Sequence, residues 1–110
     1  MALDAGLLEL LRQDLAETSD VIEKKMFGGV SMILNGHMLC GVHKNGGMYR
    51  VGKDNYGAAL AVNGARPATF TGRPMGGMVT VDAVAMGDDA TRHRLLALAC
   101  NFVQSLPPKA

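Results

Sequence analysis

The sequence predicts an α+β domain with the element order α-β(3)-α-β(2)-α built around an antiparallel sheet. Three observations carry this. Apolar residues recur at helical spacing near both ends of the chain. Between them, short apolar runs are separated by tight-turn signals, and helices set apart by runs of strands fit an antiparallel sheet and not a βαβ repeat. The chain has 110 residues, enough for one domain with a single core.

The first helix is expected to be capped by Asp4, with Leu7, Leu8, Leu11 and Leu15 on one face. Its far end is acidic through Asp14, Glu17, Asp20 and Glu23. Residues 26–34 read as the first strand. Asn35-Gly36 follows, a pair that tolerates the positive φ angles of a two-residue hairpin turn. Residues 37–43 make the second strand, Asn45-Gly46-Gly47 the next turn, and residues 48–52 the third strand. Asp54 is expected to cap a short helix through Tyr56, Ala59, Leu60 and Val62, ended by Asn63-Gly64. Residues 68–71 and 77–82 read as two further strands joined through Gly72-Arg73-Pro74. Asp88 or Asp89 opens the last helix, whose stripe is Leu95, Leu98, Ala99, Phe102 and Leu106, and Pro107-Pro108 stops it. No repeat, linker or low-complexity stretch divides the chain, so residues 1–110 form one domain.

The strands show no clean polar face. Met38, Cys40 and Val42 oppose Leu39, Gly41 and His43, so both faces of the sheet call for cover, from helices or from a second copy of the chain. A homodimer is expected on this ground.

Charge is segregated along the chain. Residues 1–23 carry six acidic side chains against Arg12. Residues 24–81 carry Lys24, Lys25, Lys44, Arg50, Lys53, Arg66 and Arg73 against Asp54, a net of +6. The whole chain is only +1, which argues against a generic polyanion binder while leaving a local basic surface open. The bland alternative is that the acidic helix lies beside the basic sheet and the charges screen one another. Arg50 is the most informative single residue. It sits mid-strand on the face of Met48, where a charge is costly unless it is paired.

No catalytic set stands out. No carboxylate is spaced to orient His37, His43 or His93, and Asp88-Asp89 reads as a helix cap. Gly28-Gly29 lacks the helix that a phosphate-binding loop must open, so a close strand approach is favoured. Alternation separates His43 from Cys40, which disfavours a soft-metal site. No cofactor or metal is expected. The first residues lack the basic start and apolar core of an export signal, and no apolar run is long enough to span a bilayer. Cys40 and Cys100 are therefore expected to be reduced thiols in the cytoplasm.

Five strings carry a resemblance. They are Met26-Phe27-Gly28-Gly29; Asn35-Gly36-His37-Met38 with Cys40-Gly41-Val42; Met48-Tyr49-Arg50-Val51-Gly52; Phe70-Thr71-Gly72-Arg73-Pro74-Met75; and Ser105-Leu106-Pro107-Pro108-Lys109. In this order and spacing the chain resembles the TfoX N-terminal domain family, in particular its small stand-alone bacterial members, over residues 24–109. The resemblance implies an α-β(3)-α-β(2)-α fold related to secretion-chaperone-like folds. It also implies a kinship with regulators of natural competence that act with a cyclic-AMP-responsive transcription activator and carry a further C-terminal domain. It supplies no catalytic residues.

The function expected from residues and resemblance together is a non-enzymatic protein-interaction domain, with transcription machinery as one candidate partner. Arg50 and Arg73 are the candidate contact residues, and Gly28 and Gly29 shape the backbone. Direct nucleic-acid binding through residues 24–81, and binding or turnover of a small anionic ligand, are the alternatives.

Overall fold

The computed structural model describes residues 5–18, 20–26, 29–43, 46–70 and 73–107, with backbone only at 5, 26, 69, 70 and 73–75. The elements are α1 (Ala5–Asp14), β1 (Val21–Met26), β2 (Gly29–Leu34), β3 (His37–His43), β4 (Gly46–Arg50), α2 (Lys53–Leu60), β5 (Ala65–Phe70), β6 (Arg73–Asp82), α3 (Ala83–Met86) and α4 (Asp89–Gln104). The strands form one antiparallel sheet in the order β1-β2-β3-β4-β6-β5. The α+β class holds, and β1 and α3 are added to the expected order.

The first helix is shorter than its acidic tail suggested. It ends at Asp14, and residues 21–26 form a strand antiparallel to β2. Two physical reasons favour this. Val21 and Ile22 are β-branched and fit a pleated surface. Asp20 takes φ 67°, a left-handed conformation that stops a helix and that Asp tolerates. The expected Asp4 cap lies outside the described residues.

Asn35 and Gly36 take φ 54° and 85°, the two positive values that the hairpin between β2 and β3 requires. The β2–β3 ladder then slips. Met32 pairs with Cys40 and Ile33 with Met38, which leaves Leu39 as an extra residue. The bulge turns both Leu39 and Cys40 into the core, where each is fully buried.

Gly52, not Asp54, is the N-cap of α2, and Asp54 falls in the first turn. Asp82 ends β6 and caps α3, accepting from the Ala85 N–H at 2.8 Å. Asp88 caps α4 by accepting from the Thr91 N–H at 2.9 Å. Beyond α4, His37 Nε2 donates to the Pro107 carbonyl at 2.7 Å and holds the chain against the start of β3.

All four described helices feed one core. Leu7, Leu8, Leu11 and Leu15 from the N-terminal segment, Ala59 from α2, Met86 from α3, and Leu95, Ala99 and Val103 from α4 pack on Val30, Met32, Leu34, Val42, Tyr49, Val51, Val79 and Val81. The ladder registers place these strand residues on one face of the sheet. Among the described residues, cover is therefore one-sided. On the other face Ile33 and Met78 are nonetheless buried, while Met38 and Met48 are half-buried. No described helix is long and apolar enough to cross a membrane.

Candidate functional site: a cationic cleft where β4 meets α2

The cleft originates in an irregularity of β6. Pro67 pairs with Val79 and Thr69 with Pro74, so the four residues 75–78 of β6 lie against Ala68 alone. The excess chain bulges at Gly76-Gly77. On its other side β6 pairs with β4 only as far as Met78 opposite Arg50. Gly77, at φ 80°, turns its carbonyl to accept from the N–H groups of both Val51 (2.8 Å) and Gly52 (3.0 Å). A Cβ on Gly77 would lie 3.0 Å from Gly52 backbone atoms, so glycine permits the crossing.

Gly52 takes φ 82°, and a Cβ there would run into the ring of Phe102. The missing side chain lets α4 lay Phe102 against the backbone at the start of α2. Asn55 fixes the two helices by donating to the Leu98 carbonyl at 3.2 Å and to Asn101 Oδ1 at 3.1 Å. The Arg50 guanidinium lies over the Phe102 ring, 5.4 Å from its centroid, within cation–π range. Arg50, Lys53, Asp54, Phe102 and the glycine backbone line a cavity of about 360 Å³.

Its electrostatics are unbalanced. Arg50 and Lys53 face Asp54, and among the described residues none of the three forms an ion pair. The N-terminus of α2 has no side-chain cap, so its first N–H groups and the positive end of its dipole add to the field. The arrangement can receive an anionic group beside an aromatic ring. Asp54 can accept a hydrogen bond from a donor next to that anion.

Nucleophiles lie elsewhere. Burial pushes the Cys40 thiol and the Tyr49 phenol well above their ordinary values, and a smaller desolvation raises Cys100. Both cysteines are free. The Tyr49 hydroxyl donates to the Met86 sulfur at 3.7 Å. No group of three or more His, Cys, Asp or Glu side chains is placed to hold a metal among the described residues.

The chain matches the TfoX N-terminal domain model over residues 13–103. It belongs to that family. The matched span contains every cleft residue, so the cleft is built from the TfoX N-terminal domain itself. Comparison with curated proteins and with solved structures finds no match.

Within this TfoX N-terminal domain the four residues singled out from the sequence do not share one place. Arg50 lines the cleft. Gly29 opens β2 at the opposite end of the sheet, where a Cβ would collide with the Val42 carbonyl oxygen. Its lack of a side chain is explained by close strand approach. Gly28 lies outside the described residues. Arg73 opens β6 opposite Phe70, four residues before Gly77 and on the other side of the bulge. Its side chain is likewise outside what is described.

Sequence reasoning passed over Phe102, Lys53, Gly52 and Gly77. Phe102 packs against the core, as its place on the stripe of the last helix implies, and it lines the cleft as well. The adjacent Gly76-Gly77 within a β-rich run was the available signal of an irregular strand. The basic segment is also dispersed. Lys24 and Lys25 lie on β1 and Arg66 on β5, the two edge strands, roughly 24 Å apart at five strand spacings. Among the described residues, no acidic side chain of residues 1–23 forms an ion pair with a basic one of residues 24–81. Glu23 binds Arg12, and Asp14 binds Arg92 and His93.

Proposed function

We propose that this TfoX N-terminal domain is a non-enzymatic protein-interaction module, of the regulatory kind its family resemblance implies, and that the Arg50–Phe102 cleft is its contact site. The partner group that fits is a carboxylate flanked by an apolar side chain. One observation carries the proposal. Arg50 is held in place by an aromatic ring while, among the described residues, its charge is left without a carboxylate. A fixed, unpaired guanidinium is pre-organised for an anion and loses little freedom on binding it.

The test is capture of partners from native lysate treated with nuclease, comparing the wild-type domain with Arg50→Ala and with Arg73→Ala. A partner retained by wild type and lost from Arg50→Ala, at unchanged melting temperature, supports the proposal. Equal capture by Arg50→Ala removes the cleft from the interface.

The cavity volume favours a second reading, because about 360 Å³ is within the range of small-ligand pockets. A panel of carboxylates and phosphates that raises the melting temperature of wild type but not of Arg50→Ala would support a small anion instead. Nucleic-acid binding through residues 24–81 predicts affinity that falls steeply with salt. The dispersion of those charges to both sheet edges gives it less support.

A further inference from the structure

The two edges of the sheet are chemically unequal. β5 carries Pro67, which has no N–H to offer, and its ladder with β6 is broken beside that proline. β1 is regular. All six of its residues pair with β2 without a shift, and no other described strand pairs with it. Residues 22–25 are exposed, and Ile22 is 65 % exposed, one of two large apolar side chains so exposed among the described residues. Such an edge offers unpaired backbone donors and acceptors to another strand.

The side-chain pattern says which strand fits. Alternation puts Ile22 and Lys24 on the face away from the helices. Val21, Glu23 and Lys25 lie on the helix-bearing face, where Arg12 donates to Glu23 at 2.7 and 2.9 Å. A second β1 laid antiparallel about a two-fold axis normal to the sheet must oppose residues of the same face. Two registers pair five residues of the strand. Centred on Glu23, the pairing sets Glu23 against itself and Ile22 against Lys24. Centred on Lys24, it sets Glu23 against Lys25 twice, leaving one Lys24–Lys24 contact on an exposed face.

We propose that the β1 edge is a self-association surface, joining two copies through the Lys24-centred register into one continuous antiparallel sheet. The lysines that discourage unrelated strands then act as the register selector, because only this alignment neutralises Lys25. Two short strands make a contact at the small end of specific interfaces, so the dimer is weak and concentration-dependent.

Sedimentation of the full chain over a wide concentration range tests this, with thermal melts to show that each variant folds. Wild type should move from monomer to dimer, and Ile22→Asp should remain monomeric. Lys25→Glu alone places two acids opposite each other, and Glu23→Lys alone places two bases opposite each other, so each should remain monomeric. Mixed, they oppose an acid to a base at both positions and should recover the dimer. Wild type that stays monomeric throughout, a dimer that survives both Ile22→Asp and Lys25→Glu, or folded charge variants that fail to associate when mixed would each overturn the proposal.

Discussion

Two arginines of this domain are opposites. Arg92 is 3 % exposed and fully engaged. It donates to Asp14 at 2.9 and 3.3 Å, to Asp89 at 2.7 Å and to the Met86 carbonyl at 3.1 Å. It ties α1, α3 and α4 into one unit. Arg50 is half-buried, leans on one aromatic ring and has no carboxylate partner among the described residues. A guanidinium whose donors are used up is part of the scaffold. One that is positioned but unpaired is available to a ligand. The same side chain serves both purposes, and the surrounding acceptors decide which.

Breaking the saturated arginine should have the largest effect. Arg92→Ala leaves Asp14, 4 % exposed, without its main partner, and loss of one member of a buried pair costs about 3–5 kcal/mol. Urea denaturation should show the midpoint falling by a corresponding amount. Adding Asp14→Asn to that variant should recover part of the loss, because the orphaned charge goes with it. A small change in Arg92→Ala would mean that His93, already 3.3 Å from Asp14, compensates.

Gly52→Ala sharpens the contrast from the other end of the molecule. The new methyl group occupies the place of the Phe102 ring and must adopt φ 82°. The strain should cost roughly 1–3 kcal/mol. Displacement of the ring should weaken partner capture as well, although residue 52 carries no charge.

Arg50→Ala should reverse the pattern seen at Arg92. A cation–π contact of a half-buried arginine contributes about 1–2 kcal/mol at most, so the denaturation midpoint should move far less than in Arg92→Ala while partner capture is lost. Arg50→Lys keeps the charge but not the planar group that stacks on Phe102, and should restore capture only in part. A large loss of stability in Arg50→Ala would place Arg50 in the scaffold with Arg92 and end the distinction.

The smallest effect concerns His43. Desolvation lowers its pKa from 6.5, which means the folded state holds its proton less tightly than the unfolded chain. Stability from this group is complete above pH 6.5 and declines as pH falls from there toward the lower folded value. His43→Gln should flatten the pH dependence of the melting temperature in that window. It should leave the cleft unaffected, since His43 ends β3 at the far end of the sheet from Arg50.

Local chemistry and chain pattern alone determined much of this protein. Asn35-Gly36 specified a hairpin because few residue pairs accept two positive φ angles. Asp88 specified a helix start because its carboxylate can take an orphan N–H. The leucine spacing of α1 specified its buried face, and the ordered strings identified the TfoX N-terminal family. What the pattern left open was decided by partners distant in sequence. Residues 21–26 became a strand because β2 was there to pair with them. Asp14, read as part of an acidic helix end, became the buried partner of Arg92, 78 residues away. Phe102 packs against the core as its stripe implied, and it also supports Arg50 because Gly52 and Gly77 let two backbones cross beside it. Capping and turn preferences act over a few residues and are written into short strings. The pairing of a charge, and the availability of one left unpaired, depends on which distant groups the fold brings within a few ångströms.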